Sequence, residues 1–181
     1  MMLIIDLCWK KDSLSSLEFV NPVKRIVEGE HQPFIIKHFL ELNEKDLVAA
    51  DKIIMCGTAL KDNEFRKHLS RFSWLRKHDK PVLGICAGMQ IIGLIYGTRM
   101  FDCKELGMWK IMTKKENIFF SGVFQAYELH GSAIRTNDNF EVLAKSSRCV
   151  QMIKHKNKHI YGVSFHPEIR NETVIKKFLG I

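Results

Sequence analysis

Long hydrophobic runs are the first thing this sequence lacks. No apolar stretch approaches the ~20 residues that span a bilayer, and the opening Met2-Leu3-Ile4-Ile5 meets Asp6 at once, too early for the apolar core of a signal peptide. No membrane contact is expected, and the chain reads as cytoplasmic. Cysteines are few and follow no framework: Cys8, Cys56, Cys86, Cys103 and Cys149 are odd in number, form no Cys-x-x-Cys pair and show no repeated Cys/His spacing. This pattern predicts no disulfide framework and no structural metal. With 4 prolines and 11 glycines in 181 residues, the chain is also too poor in both for a linker-rich or fibrous protein. Neither repeats nor low-complexity segments occur, so one domain over residues 1–181 is expected.

Acidic residues are outnumbered, 20 against 28 Lys and Arg, for a formal net charge of +8. Clustered positive charge would suggest phosphate neutralisation, but here it is dispersed. The densest patch, Lys154-His155-Lys156-Asn157-Lys158-His159, lies between two apolar runs and reads as the solvated tip of a hairpin. Nucleic acid is therefore not an expected partner.

What is present is an alternation of short apolar runs with helical patterns. Met2 to Asp6, Gln32 to Ile36 and Asp51 to Gly57 read as strands, the last ending in a glycine turn. Residues 9–16 read as loop, Asn21-Pro22 as a helix start with Asn21 as N-cap, and Leu40 to Leu47 as a connection. Phe65, Leu69, Phe72 and Leu75 predict one helix over 63–76. From Gly97 to about Ile160 the pattern shifts to short alternating runs, among them Ile118-Phe119-Phe120, which predict appended antiparallel strands. Ile160 to Phe165 closes as a strand and Glu172 to Leu179 as a helix. The fold class expected is α/β: a doubly wound, mostly parallel sheet, with sites at the carboxyl ends of its strands.

Two of those strand ends carry chemistry. Pro81 to Ile85 reads as a buried strand that meets Cys86 between Gly84 and Gly88 and continues as the apolar helix Ala87 to Leu94. A Gly-x-Cys-x-Gly run between strand and helix suits a nucleophile elbow, whose sharp turn holds one reactive side chain above the sheet. There the sulfur faces unpaired backbone N–H groups and the positive end of the helix dipole. About eighty residues on, His166-Pro167-Glu168 follows the last strand. Residues two apart in an extended segment share a side, so Glu168 can orient one ring nitrogen of His166 and leave the other free. Nucleophile, base and orienting acid are all available.

The Gly84-Ile85-Cys86-Ala87-Gly88-Met89-Gln90 and Gly162-Val163-Ser164-Phe165-His166-Pro167-Glu168 runs resemble the two signatures of the class I, or triad-type, glutamine amidotransferases. The likeness extends over essentially the whole chain in element order. It implies a flavodoxin-like core and hydrolysis of the glutamine side-chain amide to glutamate and ammonia. Cys86 would form a γ-glutamyl thioester, His166 would act as general acid and base, and Glu168 would orient it. One oxyanion donor would be the Ala87 N–H, and the other the Thr58 N–H in the Gly57-Thr58-Ala59 turn, where the family has Gly-Gly-Pro. A threonine there is harmless where φ is negative and strained where it is positive. Gln90 matches the family's glutamine-binding position, and Leu129-His130-Gly131-Ser132 is similar to its Ser-His-Gly-Asp segment, whose backbone holds the substrate's α-amino and α-carboxylate groups.

No segment is left over for an ATP-binding or acceptor-binding domain. The resemblance therefore implies a separate synthetase subunit, expected to be of the ATP-pyrophosphatase kind, carrying the ATP and Mg that this chain does not need. Among subfamilies the chain looks most like the stand-alone glutaminase subunit of GMP synthase, and its Cys-x-Gly-Met-Gln form also resembles the imidazole glycerol phosphate synthase glutaminase. A γ-glutamyl hydrolase on the same scaffold and a catalytically silent binding module are the competing readings.

Overall fold

The short apolar runs of the first half become parallel strands because both of their faces are covered. A computed structural model describes residues 1–181. Its strands are β1 (Met2–Asp6), β2 (Phe34–His38), β3 (Lys52–Met55), β4 (Val82–Ile85), β5 (Arg99–Thr113), β6 (Val123–Arg135), β7 (Phe140–Lys145), β8 (Val150–His155) and β9 (Ile160–Val163). They form one sheet in the order β2-β1-β3-β4-β9-β8-β7-β5-β6. The first five in that order are parallel, and every pairing from β9 to β6 is antiparallel. The helices are α1 (Leu14–Phe19), α2 (Asn21–Gly29), α3 (Glu44–Ala49), α4 (Glu64–Lys67), α5 (Ala87–Ile95) and α6 (Thr173–Leu179). None is long and apolar enough to cross a membrane.

Alternation along the strands divides the core in two. Met2 and Ile4 pack with Val23, Ile26 and Val27 of α2 and with Val174, Ile175 and Phe178 of α6. Leu3 and Ile5 point the other way, onto Phe65, Phe72, Leu75 and the apolar face of α5. Helices on both faces make the parallel half doubly wound, and its site lies where β1, β3, β4 and β9 end.

Several local expectations are corrected. Part of the 9–16 loop is helical: α1 begins at Leu14, with the Ser13 side chain accepting from the Ser16 N–H. The helix at Asn21-Pro22 starts one residue early, with Val20 at the N-cap and Asn21 already inside. The 40–47 connection holds the start of α3, closed by an Asn43–Asp46 capping box. The stripe from Phe65 to Leu75 does not make one helix; it breaks at His68 into α4 and a 3-10 run, Leu69–Arg76. Residues 118–120 are not a strand. The Asn117 side chain instead accepts from the Phe119 and Phe120 N–H groups, a local turn that competes with the sheet ladder.

Candidate active site

Cys86 stands between β4 and α5 with φ +48° and ψ −100°, a conformation costly for any residue with a Cβ. Close packing on either side holds it there. A Cβ on Gly84 would come 2.5 Å from the Gly88 carbonyl carbon, and one on Gly88 would come 2.5 Å from the Met55 carbonyl oxygen. The two glycines thus let strand and helix approach closely enough to force the turn. The sulfur lies 3.8 Å from the Leu129 carbonyl oxygen on β6. Burial, reinforced by surrounding carboxylates, pushes the nearby Cys8 and Cys56 thiols far up.

His166 follows β9 and is 1% exposed. Its backbone N–H donates to the Tyr127 carbonyl on β6 at 2.9 Å, and its Nδ1–H donates to Glu168 Oε1 at 2.7 Å. The other ring nitrogen, Nε2, makes no hydrogen bond. Burial opposes the charged imidazole, yet the Glu168 carboxylate and the Cys86 sulfur outweigh it and hold His166 well above the usual histidine range. Gly57 touches both partners, since a Cβ there would lie 2.7 Å from His166 Cε1 and 3.5 Å from Cys86 Cβ. Only a bare backbone fits between nucleophile and base at this turn.

A small cleft opens above Cys86. Thr58, Cys86, Ala87, Gln90, His130, Gly131 and Ser132 all line it. Thr58 is not among the residues with positive φ, so its side chain costs the turn nothing. Its backbone N–H has no acceptor within the protein. Ala87 opens α5, so its N–H has no intrahelical acceptor either. Gln90 Nε2 donates to the Ser132 carbonyl at 3.1 Å, tying α5 to β6.

A family profile for class-I glutamine amidotransferases matches residues 20–179. The chain belongs to that family. Among curated relatives, a glutamine-hydrolyzing GMP synthase subunit of Methanococcus maripaludis strain S2 is 45% identical over 109 residues, 54% of this chain and 58% of the relative. The match thus spans little more than half of that relative's length. The Picrophilus torridus protein of the same name is 34% identical over 145 residues, 74% of this chain and 77% of the relative. A crystal structure from Thermoplasma acidophilum, provisionally assigned as the same GMP synthase subunit, superposes with a TM-score of 0.87 at 25% identity. That superposition covers 99% of this chain and 92% of the other.

Two features of the cleft add to those that the sequence motifs indicate. Asp62 also lines it, and its carboxylate accepts from the Thr58 hydroxyl, the Trp9 N–H and the Glu64 N–H. It braces the turn that carries Thr58. An acid four residues beyond Thr58 was the available signal. The second feature is His130, whose backbone borders the cleft while both ring nitrogens face elsewhere. Nδ1–H donates to the Cys103 carbonyl at 2.9 Å, and Nε2 lies 3.2 Å from both Glu105 Oε2 and Glu128 Oε2. Burial opposes its charge, but Cys149 and the two carboxylates push it up to about 12. Glu105 is also opposed by burial, yet its bonds from His130, Ser146 and Cys149 draw it down. Glu128 has fewer such bonds, so burial wins and pushes it up.

Proposed function

We propose that this chain is a glutaminase subunit that hydrolyses L-glutamine to L-glutamate and ammonia. The observation that carries the reading is Cys86, strained above the sheet at the cleft, sharing the Gly57 turn with a histidine whose far nitrogen is fixed by Glu168. Sulfur adds to the side-chain amide carbon of glutamine. The resulting oxyanion takes hydrogen bonds from the Ala87 and Thr58 N–H groups, a contribution of ~3–4 kcal/mol per donor in comparable sites. Imidazolium His166 gives its Nε2 proton to the departing nitrogen, and ammonia leaves behind a γ-glutamyl thioester. His166, now neutral, takes a proton from water as that water attacks, and returns it to sulfur as glutamate departs. Gln90 and residues 129–132 hold the amino-acid end of the substrate.

The acceptor of the ammonia is a separate synthetase of the GMP synthase type, an ATP-pyrophosphatase. The names of the relatives support that choice. The test is intact mass after incubation with a glutamine-mimicking diazoketone, with glutamate release assayed with and without such a synthetase in the presence of its nucleotide substrate. A single adduct that Cys86→Ala abolishes, with release stimulated by the synthetase, is expected. An adduct without stimulation would discard the acceptor, and neither adduct nor turnover would discard the activity.

A further inference from the structure

Cations are not distributed evenly over this surface. Many lysines hold a carboxylate, as in Lys11–Glu41, Lys115–Glu141 and Lys158–Asp79. Arg99, Arg135, Lys145 and Arg148 gather around one groove instead, and none of them is in an ion pair. We propose that this groove binds a small ligand carrying two linked phosphate groups, either free pyrophosphate or a nucleoside polyphosphate.

The groove lies between two walls. One is the β5–β6 ladder, where Arg99 stands directly opposite Arg135, and Phe101 opposite Ala133 on the same face. A bulge between Asp102 and Glu105 then bends β5. The other wall is the end of β7 and the turn that follows it, which supply Lys145, Ser147 and Arg148. Phe101, Cys103, Ala133 and Cys149 pack as a small apolar cluster that holds this turn against the ladder. No residue of the groove also lines the Cys86 cleft.

Nothing within the protein answers the charge. No acid lines the groove. Asp102 alternates to the face opposite Phe101, and the fully buried Glu105 is occupied by Ser146, Gln151 and His130. Like charges directly across a ladder destabilise it, so the Arg99–Arg135 pair carries a strain that a bound anion relieves. The guanidinium groups are also held in place. Arg135 lies over the Phe101 ring at 4.9 Å, and Arg148 donates to the Lys104 carbonyl at 2.8 Å, with its guanidinium 5.9 Å from the Trp109 ring centre. A guanidinium on a ring face keeps its N–H edges free to donate.

These donors fit phosphate. Guanidinium forks match its oxygens two at a time, and the Thr136 and Ser147 hydroxyls border the same space. One phosphate monoester carries a charge of about −1.5 to −2 near neutral pH, which leaves four cations underused. Two linked phosphates match them. A concave site also suits a small anion better than the flat acidic face of a protein. Sequence spacing could not show the groove, because its cations are spread from Arg99 to Arg148 over two strands and a turn.

The experiment titrates pyrophosphate into the full chain by calorimetry, in about 150 mM potassium chloride so that loose surface attraction is screened. A single site per chain is expected. Arg135→Gln and Arg148→Gln should each weaken it about tenfold or more. Both side chains are exposed, so neither change should disturb folding. Lys45→Gln makes the same change of charge on α3, beside the opposite edge of the sheet, and should leave the affinity unchanged. ATP titrated in the same way separates the two sources: tighter binding than pyrophosphate assigns a nucleotide, and equal or weaker binding assigns the free anion. Wild-type protein that binds neither would overturn the site. So would an affinity that both arginine variants leave intact, or one that Lys45→Gln lowers as much as they do. The four cations would then be solvated charges that keep an edge hairpin from pairing with other chains.

Discussion

Two buried histidines, His130 on β6 and His166 bonded to β6 through Tyr127, do opposite things with their second nitrogen. His166 spends Nδ1 on the Glu168 carboxylate and leaves Nε2 without a partner, beside the Cys86 turn. His130 spends Nδ1 on a backbone carbonyl and aims Nε2 between two carboxylates. Both are nearly inaccessible, at 1% and 2% exposure. Burial therefore does not separate a chemical group from a structural one; the unspent nitrogen does.

The largest test of that contrast is Cys86→Ala, which removes the group His166 serves. Glutamine turnover should fall by at least about 10⁴-fold with the melting temperature nearly unchanged. Loss of less than tenfold would show that Cys86 is not the nucleophile, and would leave His166 without the group it serves. His130→Gln is the counterpart. It leaves two buried carboxylates without their shared partner, and denaturant unfolding should show a loss of roughly 3–5 kcal/mol. An unchanged midpoint would remove the structural half of the comparison.

Glu168→Gln sharpens the difference in charge. The Glu168 carboxylate is one of the groups that raise His166, so without it the imidazolium gives up its proton at lower pH. The expected result is an alkaline limb of kcat displaced toward lower pH and a loss of about 10²–10³-fold in turnover, less than for Cys86→Ala. A limb that stays in place would assign it to another group. The smallest effect belongs to Gly57→Ala, whose new Cβ would crowd His166 Cε1 at 2.7 Å. Turnover should drop about 10–100-fold through misorientation, with little change in stability. Full activity would show that the ring can yield without cost.

The contrast also separates what was legible in the sequence from what was not. The parallel half could be read directly because its strands are continuous apolar runs ending in glycine or a carboxylate, as in Met2 to Asp6 and Lys52 to Gly57. Cys86 and the His166-Pro167-Glu168 run lie in short local motifs, and the close approaches of Gly84 and Gly88 explain why those residue types stand there. The antiparallel half hid its interior. Glu105 and Glu128 are fully buried, although charged residues at alternating strand positions normally mark the solvent face. The bulge before Glu105 cannot be read from side-chain patterns, and the break at His68 gave no Gly or Pro signal. Local bonds made by Asn117 overrode the apolar triplet that follows it.

β6 is the last strand of the sheet and pairs with β5 alone, yet its residues Leu129 to Ser132 form one wall of the cleft and Tyr127 anchors His166. An edge hairpin can open as a unit while the parallel strands stay closed. The cleft therefore borrows one wall from the edge of the sheet, where a sheet opens first. Slow amide exchange in β1, β3 and β4 with faster exchange in β6 would be the signature of that order.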